Sequence, residues 1–227
     1  VSLLVPPRVD EPELLDEHDA PRADVERSLL DLQRINRWLG GIRTYRKLLA
    51  RVAPDRRAPL RLVDLGAGTA DCLASLDDYQ QLTAIAVDFN IVHLARAGKA
   101  RGARLHRVVA DATRLPLRDG SVDVITSAHF FHHFSPQENA AILGDALRAA
   151  RRAVVVNDTA RHRLPLAFVL LLGALRLVGR ITRYDAPASV RRAYTPSEAR
   201  AIGEQTAARR VETTTIVPFR FGLLLWK

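Results

Sequence analysis

Val63-Asp64-Leu65-Gly66-Ala67-Gly68-Thr69-Ala70-Asp71 decides how this chain is read. An apolar run ends in two glycines, and a helix is expected to follow. Gly66 and Gly68 let the backbone turn tightly and let a ligand lie against it with no Cβ in the way. A Gly-x-Gly alone says little, so its weight comes from its surroundings. Twenty residues past Gly68 the next apolar run ends Ala86-Val87-Asp88, and a third ends Val109-Ala110-Asp111-Ala112. From Leu60 onward such runs alternate with helical stretches. Strands are expected at 61–65, 82–88, 104–109, 122–128 and 153–157, and helices near 70–78, 91–101 and 136–151. Nearly continuous apolar strands are what a parallel sheet covered on both faces requires.

The helix at 136 has a clear start: Ser135 to cap, Pro136 in the first turn, Glu138 to close a capping box. Thr195-Pro196-Ser197-Glu198 repeats that pattern and predicts a helix running to about Gln205. The segments 209–217 and 219–226 read as two strands joined through Pro218, hence an antiparallel pair. The expected fold class is α/β: a doubly wound, mostly parallel seven-stranded sheet closed by an antiparallel C-terminal hairpin. In front of it, Leu29, Leu32, Ile35 and Leu39 recur at helical spacing, Gly40-Gly41 interrupts, and Ile42, Tyr45, Leu48 and Leu49 resume. Residues 1–58 are thus an N-terminal arm with cap helices, and 59–227 the main domain. The first 25 residues, with Pro6, Pro7, Pro12, Pro21 and many acids, read as an extended arm or short helical cap rather than core.

The 227 residues suffice for one sizeable core. A single cysteine, Cys72, excludes an internal disulfide framework and any multi-cysteine zinc site, and fits a cytoplasmic location. The longest apolar run, Leu164 to Leu175, is short of the roughly 20 residues a bilayer demands. Residues 1–20 lack a basic signal-peptide start. Net charge is +9, carried almost wholly by arginine, with lysine only at 47, 99 and 227. The arginines are scattered, which describes a solvated basic surface better than a nucleic-acid footprint.

Two nucleotide ligands compete for the glycine corner. A dinucleotide motif would carry a third glycine where Asp71 stands, and an acid at that helix start repels a pyrophosphate. S-adenosylmethionine (SAM) has no phosphate and carries an ammonium and a sulfonium, so Asp64 suits it. Asp88 stands where an acid accepts both ribose hydroxyls, and Asp111 where one accepts from an adenine amino group.

With these motifs in this order, residues 60–227 resemble the class I SAM-dependent methyltransferases, a Rossmann-like fold. The resemblance implies that the Asp64 position begins the glycine-rich motif, that Asp88 binds ribose and that Asp111 binds adenine. Ala70 stands where that family often has another glycine. The cofactor-binding set it implies is Asp64, Gly66, Ala67, Gly68, Asp88, Phe89, Asp111, Ala112, Ser127 and Arg43. A finer resemblance is to the ubiquinone/menaquinone-biosynthesis group and its small-molecule relatives. It rests on Ile35 to Arg46, like that group's pre-domain helix, and on Ser127-Ala128-His129-Phe130-Phe131-His132-His133-Phe134, like its His-His-Leu segment. In such enzymes the pre-domain region folds over the cofactor, which points to Arg43 or Tyr45.

Methyl transfer is an in-line displacement at a sulfonium carbon, helped by a base of near-neutral pKa when the acceptor is a hydroxyl. His132 and His133, just past a central strand, are expected to orient the acceptor and take its proton, with His162 the runner-up base and Asp158 a further polar candidate. His129 is expected on the strand, packing. No metal is expected. The insertion 159–194, apolar along Leu164 to Val178, is expected to form a helical lid over a hydrophobic, aromatic or acyl-bearing acceptor, with Arg191 or Arg192 at the pocket mouth. A packed helix, a homo-oligomer contact or a peripheral membrane contact are the other readings of that stretch.

The function expected is therefore methylation of a phenol, polyketide or quinol hydroxyl, in small-molecule biosynthesis or secondary metabolism. C-methylation of a quinol ring stands beside it. RNA methylation is the nucleic-acid alternative, but neither an Asn/Asp-Pro-Pro-aromatic motif nor a Pro-Cys follows the fourth strand. A non-catalytic SAM-binding module is the remaining one.

Overall fold

The computed structural model describes residues 4–16, 20–97, 104–216 and 219–227. Five strands run parallel: β1 (Leu60–Leu65), β2 (Leu82–Asp88), β3 (Arg104–Val109), β4 (Val122–Ala128) and β5 (Ala150–Thr159). β6 (Arg210–Ile216) and β7 (Arg220–Trp226) form the closing hairpin, and β7 runs antiparallel to both β5 and β6. The order across the sheet is β3-β2-β1-β4-β5-β7-β6. Chain direction across the sheet therefore reverses between β1 and β4, and open α/β sheets bind ligands in the crevice at such a switch.

The helices are α1 (Arg22–Trp38), α2 (Gly41–Val52), α3 (Asp71–Ala74), α4 (Ile91–Ala95), α5 (Pro136–Ala149), α6 (Arg163–Ala174), α7 (Arg180–Arg192) and α8 (Pro196–Gly203). Both expected capping boxes are formed, at Ser135/Glu138 and Thr195/Glu198. Gly40 breaks α1 from α2 with φ +78°, a conformation only glycine takes without strain. Two apolar cores sandwich the sheet. One gathers Val63, Ile125, Val154, Leu143 and Phe221; the other gathers Leu62, Val124, Val155, Leu49 and Leu73. The alternating sides of β1, β4 and β5 feed both cores, and the buried polar side chains they carry, among them Asp64, Thr126 and Asp158, sit towards their C-terminal ends, where the site lies.

Several boundaries differ from the sequence reading. α3 is a single turn instead of 70–78, because the chain leaves it at Ser75 to reach the buried Leu76 and Tyr79. β5 extends the expected 153–157 to 150–159, since its ends pair with Val122 and with Arg220. α7 falls within the insertion expected to be helical but beyond its apolar stretch, and it carries Pro187 inside the helix. The helix expected at 91–101 is shorter, Ile91–Ala95, and the chain turns out of it at Arg96; residues 98–101 and the turn through Pro218 lie outside the described residues.

Candidate active site

The C-terminal ends of β1, β2, β3 and β4 open into one cavity of about 610 Å³. Its floor is the glycine corner. β1 ends in Gly66 and Gly68, with φ of +64° and +52°. A Cβ on Gly66 would overlap the Phe130 ring. We expect Gly66→Ala to lose about 2–4 kcal/mol of stability in urea unfolding, from left-handed backbone strain plus overpacking. A loss below 1 kcal/mol would mean that Phe130 moves freely.

Asp88 ties the corner together. Its Oδ2 accepts the Gly68 N–H at 2.8 Å and its Oδ1 the Asn90 N–H at 2.8 Å. Asp64 is buried beneath, accepting from Thr126 Oγ1 at 2.6 Å, and Tyr45 Oη lies 2.8 Å from the same hydroxyl. Burial pushes the Asp64 carboxyl up to about 7. Such a group ionises readily once a cation arrives. Asp71 opens α3 and accepts from Thr69 Oγ1 at 2.6 Å and from Gln33 of α1 at 3.2 Å. Asp111, at the far rim, accepts the Thr113 N–H at 2.8 Å, and that bond holds its carboxyl below the usual range. Phe89, Ala110 and Ala112 line the same end of the cavity.

The other end is made of histidines. Past β4 the chain enters a short 3-10 turn, Phe131–His133. His132 is buried, with Nδ1 2.8 Å from Asp158 Oδ1 and Nε2 3.4 Å from Glu13 Oε1. Burial alone would lower His132, but the charge and hydrogen bonds of Asp158 and Glu13 outweigh it and raise it to about 10. The same pairing holds Asp158 and Glu13 at about 2, against the burial that would raise them. His132 is thus an imidazolium between two carboxylates. His133 stacks beside it, ring centroids 4.4 Å apart, and is only half-buried at the cavity wall. His129 lies beyond the strand, with φ +54°, instead of packing on it. Its Nε2 meets the Arg220 guanidinium, and enclosure together with that cation pushes its pKa down to about 3. Among the described residues, Glu13, His132 and His133 are the one group whose ligand atoms approach closely enough to hold a metal ion, within 4.8 Å of one another.

The roof differs from expectation. α1 supplies Leu29, Leu32, Gln33, Ile35 and Asn36, and the N-terminal segment supplies Glu13 and Leu15. Of the insertion 159–194, only Ser189 of α7 lines the cavity, donating to Glu13 at 2.7 Å. α6 stands outside, packed on α7. Arg191 and Arg192 pin the N-terminal segment instead of lining the mouth: Arg192 meets Asp10 at 3.0 Å, and Arg191 meets Glu11 at 3.4 Å. Arg8 completes the strap, donating to Arg192 O at 2.7 Å and to Phe134 O at 3.1 Å.

Of the residues singled out from sequence, Asp64, Gly66, Ala67, Gly68, Asp88, Phe89, Asp111, Ala112, His132 and His133 all face this cavity. Three do not. Ser127 borders a separate apolar pocket between β4, β5 and α5. Arg43 lies on α2 away from the wall, and His162 caps α6, its Nδ1 accepting the Leu164 N–H at 3.1 Å. Glu13 is the residue sequence reasoning missed. Nothing local separates it from Glu11, because its partners come from α7 and the end of β4.

A switch-point sheet with a left-handed glycine corner and acids at three successive strand ends has the class I, Rossmann-like methyltransferase architecture. Residues 62–153 match a family model described as a methyltransferase domain. More particularly, the chain resembles quinone-biosynthesis methyltransferases. It is 33% identical over 133 residues to a demethylmenaquinone methyltransferase of Thermus thermophilus, covering 57% of this chain and 56% of that one. A second, from Beutenbergia cavernae, is 38% identical over 91 residues, 40% and 36% of the two chains. The chain thus spans about half or less of these relatives' length. Among solved structures, the plantazolicin methyltransferase BpumL with bound SAH superposes with TM-score 0.70 at 11% identity, over 94% of this chain and 92% of that one. A SAM-dependent methyltransferase from Aquifex aeolicus gives 0.57 at 19% identity, over 80% and 88%. At such identities these two establish the fold.

Proposed function

We propose that the chain is a SAM-dependent methyltransferase acting on a hydrophobic small molecule through an acidic oxygen. The observation that carries this is one cavity with two chemically distinct ends. Asp64, Asp88 and Asp111 surround the glycine corner at one end, and His132 and His133 stand at the other. In this reading Asp88 accepts the ribose hydroxyls, Asp111 the adenine amino group, and Phe89 covers the base. The buried Asp64 balances the cationic methionine portion, and Asp71 makes the helix start unfit for a pyrophosphate.

The chemistry follows from that arrangement. The acceptor oxygen attacks the methyl carbon, the carbon–sulfur bond breaks, and S-adenosylhomocysteine leaves. The hydroxyl proton goes to His133. The carboxylates of Asp158 and Glu13 on its two ring nitrogens favour the protonated imidazolium of His132, so we assign it a positioning role and not that of the base. Leu29, Leu32 and Ile35 of α1 supply an apolar wall that excludes water. A quinol ring carbon as nucleophile is the second reading, favoured by the relatives named for demethylmenaquinone. The proposed localisation is cytoplasmic.

The direct test incubates the protein and SAM with phenols, quinols, polyketides and short RNAs and reads a mass gain of about 14 Da. A phenol or quinol product supports the proposal. Methylated RNA alone, or binding of SAM with no product across the panel, rejects it.

A further inference from the structure

Among the described residues, no helix is long and apolar enough to cross a membrane. α6 nevertheless exposes an apolar face. Leu164, Leu170 and Leu171 are 63, 47 and 54% exposed, and Leu175 and Leu177 just beyond are 58 and 57% exposed. Ala167 and Ala174 fill the spaces between them. The opposite side is closed by Pro165, Val169 and Gly173 against the body, where the Arg183 stem lies against Gly173. A soluble surface rarely gathers so many leucines without a partner.

Charge says which partner. From Thr159 to Tyr184 there is no acid in 26 residues, and there are five arginines. Arg161 is buried against Glu198 at 2.5 Å. Arg163, Arg176, Arg180 and Arg183 are exposed, and no described carboxylate pairs with them. Leucines on one face with unpaired arginines at both ends match a helix lying in the plane of an anionic bilayer, leucines among the acyl chains and guanidinium groups at the phosphates. A second copy would bring the same four cations together and repel.

We propose that α6 and the turn after it are a peripheral docking surface for anionic lipid membranes. α7 lies between α6 and the cavity, so the docked face adjoins the helix that carries Ser189. The inference does not depend on the reaction the cavity performs.

The test is flotation with vesicles of phosphatidylcholine alone and of phosphatidylcholine with 30% phosphatidylglycerol, at 0.1 and 0.5 M salt. The wild-type protein should float with the anionic vesicles at low salt, and at least tenfold less with neutral ones or at high salt. Leu171→Glu/Leu175→Glu should lose flotation at least tenfold with an unchanged circular dichroism spectrum. Arg176→Glu/Arg180→Glu, which leaves the leucines, should lose it as well. No flotation of the wild-type protein, or equal flotation of the variants, overturns the proposal. So does a wild-type dimer by light scattering that the leucine variant converts to monomer.

Discussion

Replacing Asp88 by alanine should weaken SAM binding by about 100-fold or more in calorimetric titration. Its carboxylate accepts two backbone N–H groups, from Gly68 and Asn90. Two carboxylate oxygens offer about four acceptor sites, so two remain for the ribose. A hydrogen bond to a charged group contributes about 1.5–3 kcal/mol. Losing two of them corresponds to roughly two to four decades of affinity. The same change frees the Gly68 N–H, so the corner loosens as the ligand's partner disappears. Asp88→Asn keeps an acceptor oxygen and should fall between the two. Unchanged affinity in Asp88→Ala would remove Asp88 from the ribose site. Tighter binding of NAD than of SAM by the wild-type protein would overturn the cofactor assignment altogether.

The histidine pair should separate into a stability residue and a rate residue. His132→Ala leaves Asp158 and Glu13 buried without their cation, and breaking a buried pair costs about 3–5 kcal/mol. His133 is half-buried, so His133→Ala should cost about 1 kcal/mol or less in stability. Its methyl-transfer rate should fall about 10²–10⁴-fold, the usual contribution of a general base. The pH dependence identifies the network. His132 is raised from 6.5 to about 10, so its contribution is complete below pH 6.5 and disappears as pH rises through 10. Asp158 and Glu13 are lowered to about 2, so theirs is complete above pH 4.5 and disappears as pH falls towards 2. The network therefore supports the fold fully between about pH 4.5 and 6.5. In His132→Ala the unpaired carboxyls favour protonation, so that variant should gain stability as pH falls from 7 to 5. Urea midpoints measured across pH 4–9 check both slopes. Flat, parallel profiles for wild type and His132→Ala would sink the buried ion network. A full rate in His133→Ala would remove that residue as the base.

Much of this site is legible because its parts are local. The glycine corner needs glycine where φ is positive, and strand-end acids follow apolar runs that announce themselves. The bounds of α7 within the helical insertion are not legible because Pro187 argues against a helix there, and its stability comes from partners elsewhere. Ser28 meets Thr182 at 3.0 Å, and Asp31 accepts the Gly179 N–H at 2.7 Å, both across from α1. Ala70 is a smaller case. It takes a left-handed φ of +55° although it carries a Cβ, and its full burial holds it there.

The roof and the ion network depend on distant pairing. Glu13 could be solvated in any acidic arm; Arg8, Arg191 and Arg192 strap that arm down until its carboxylate reaches His132. Apolar sequence suggests burial and so points to the greasy insertion as the lid, yet α6 turns half of that surface outward. By itself the sequence determined the strand and helix order, the glycine corner and the acids at its rim, since backbone sterics and apolar periodicity act between near neighbours. Only the tertiary structure decided which segment covers the cavity, which histidine is locked as a cation and which leucines face outward, because burial and charge pairing are properties of surfaces that meet in space.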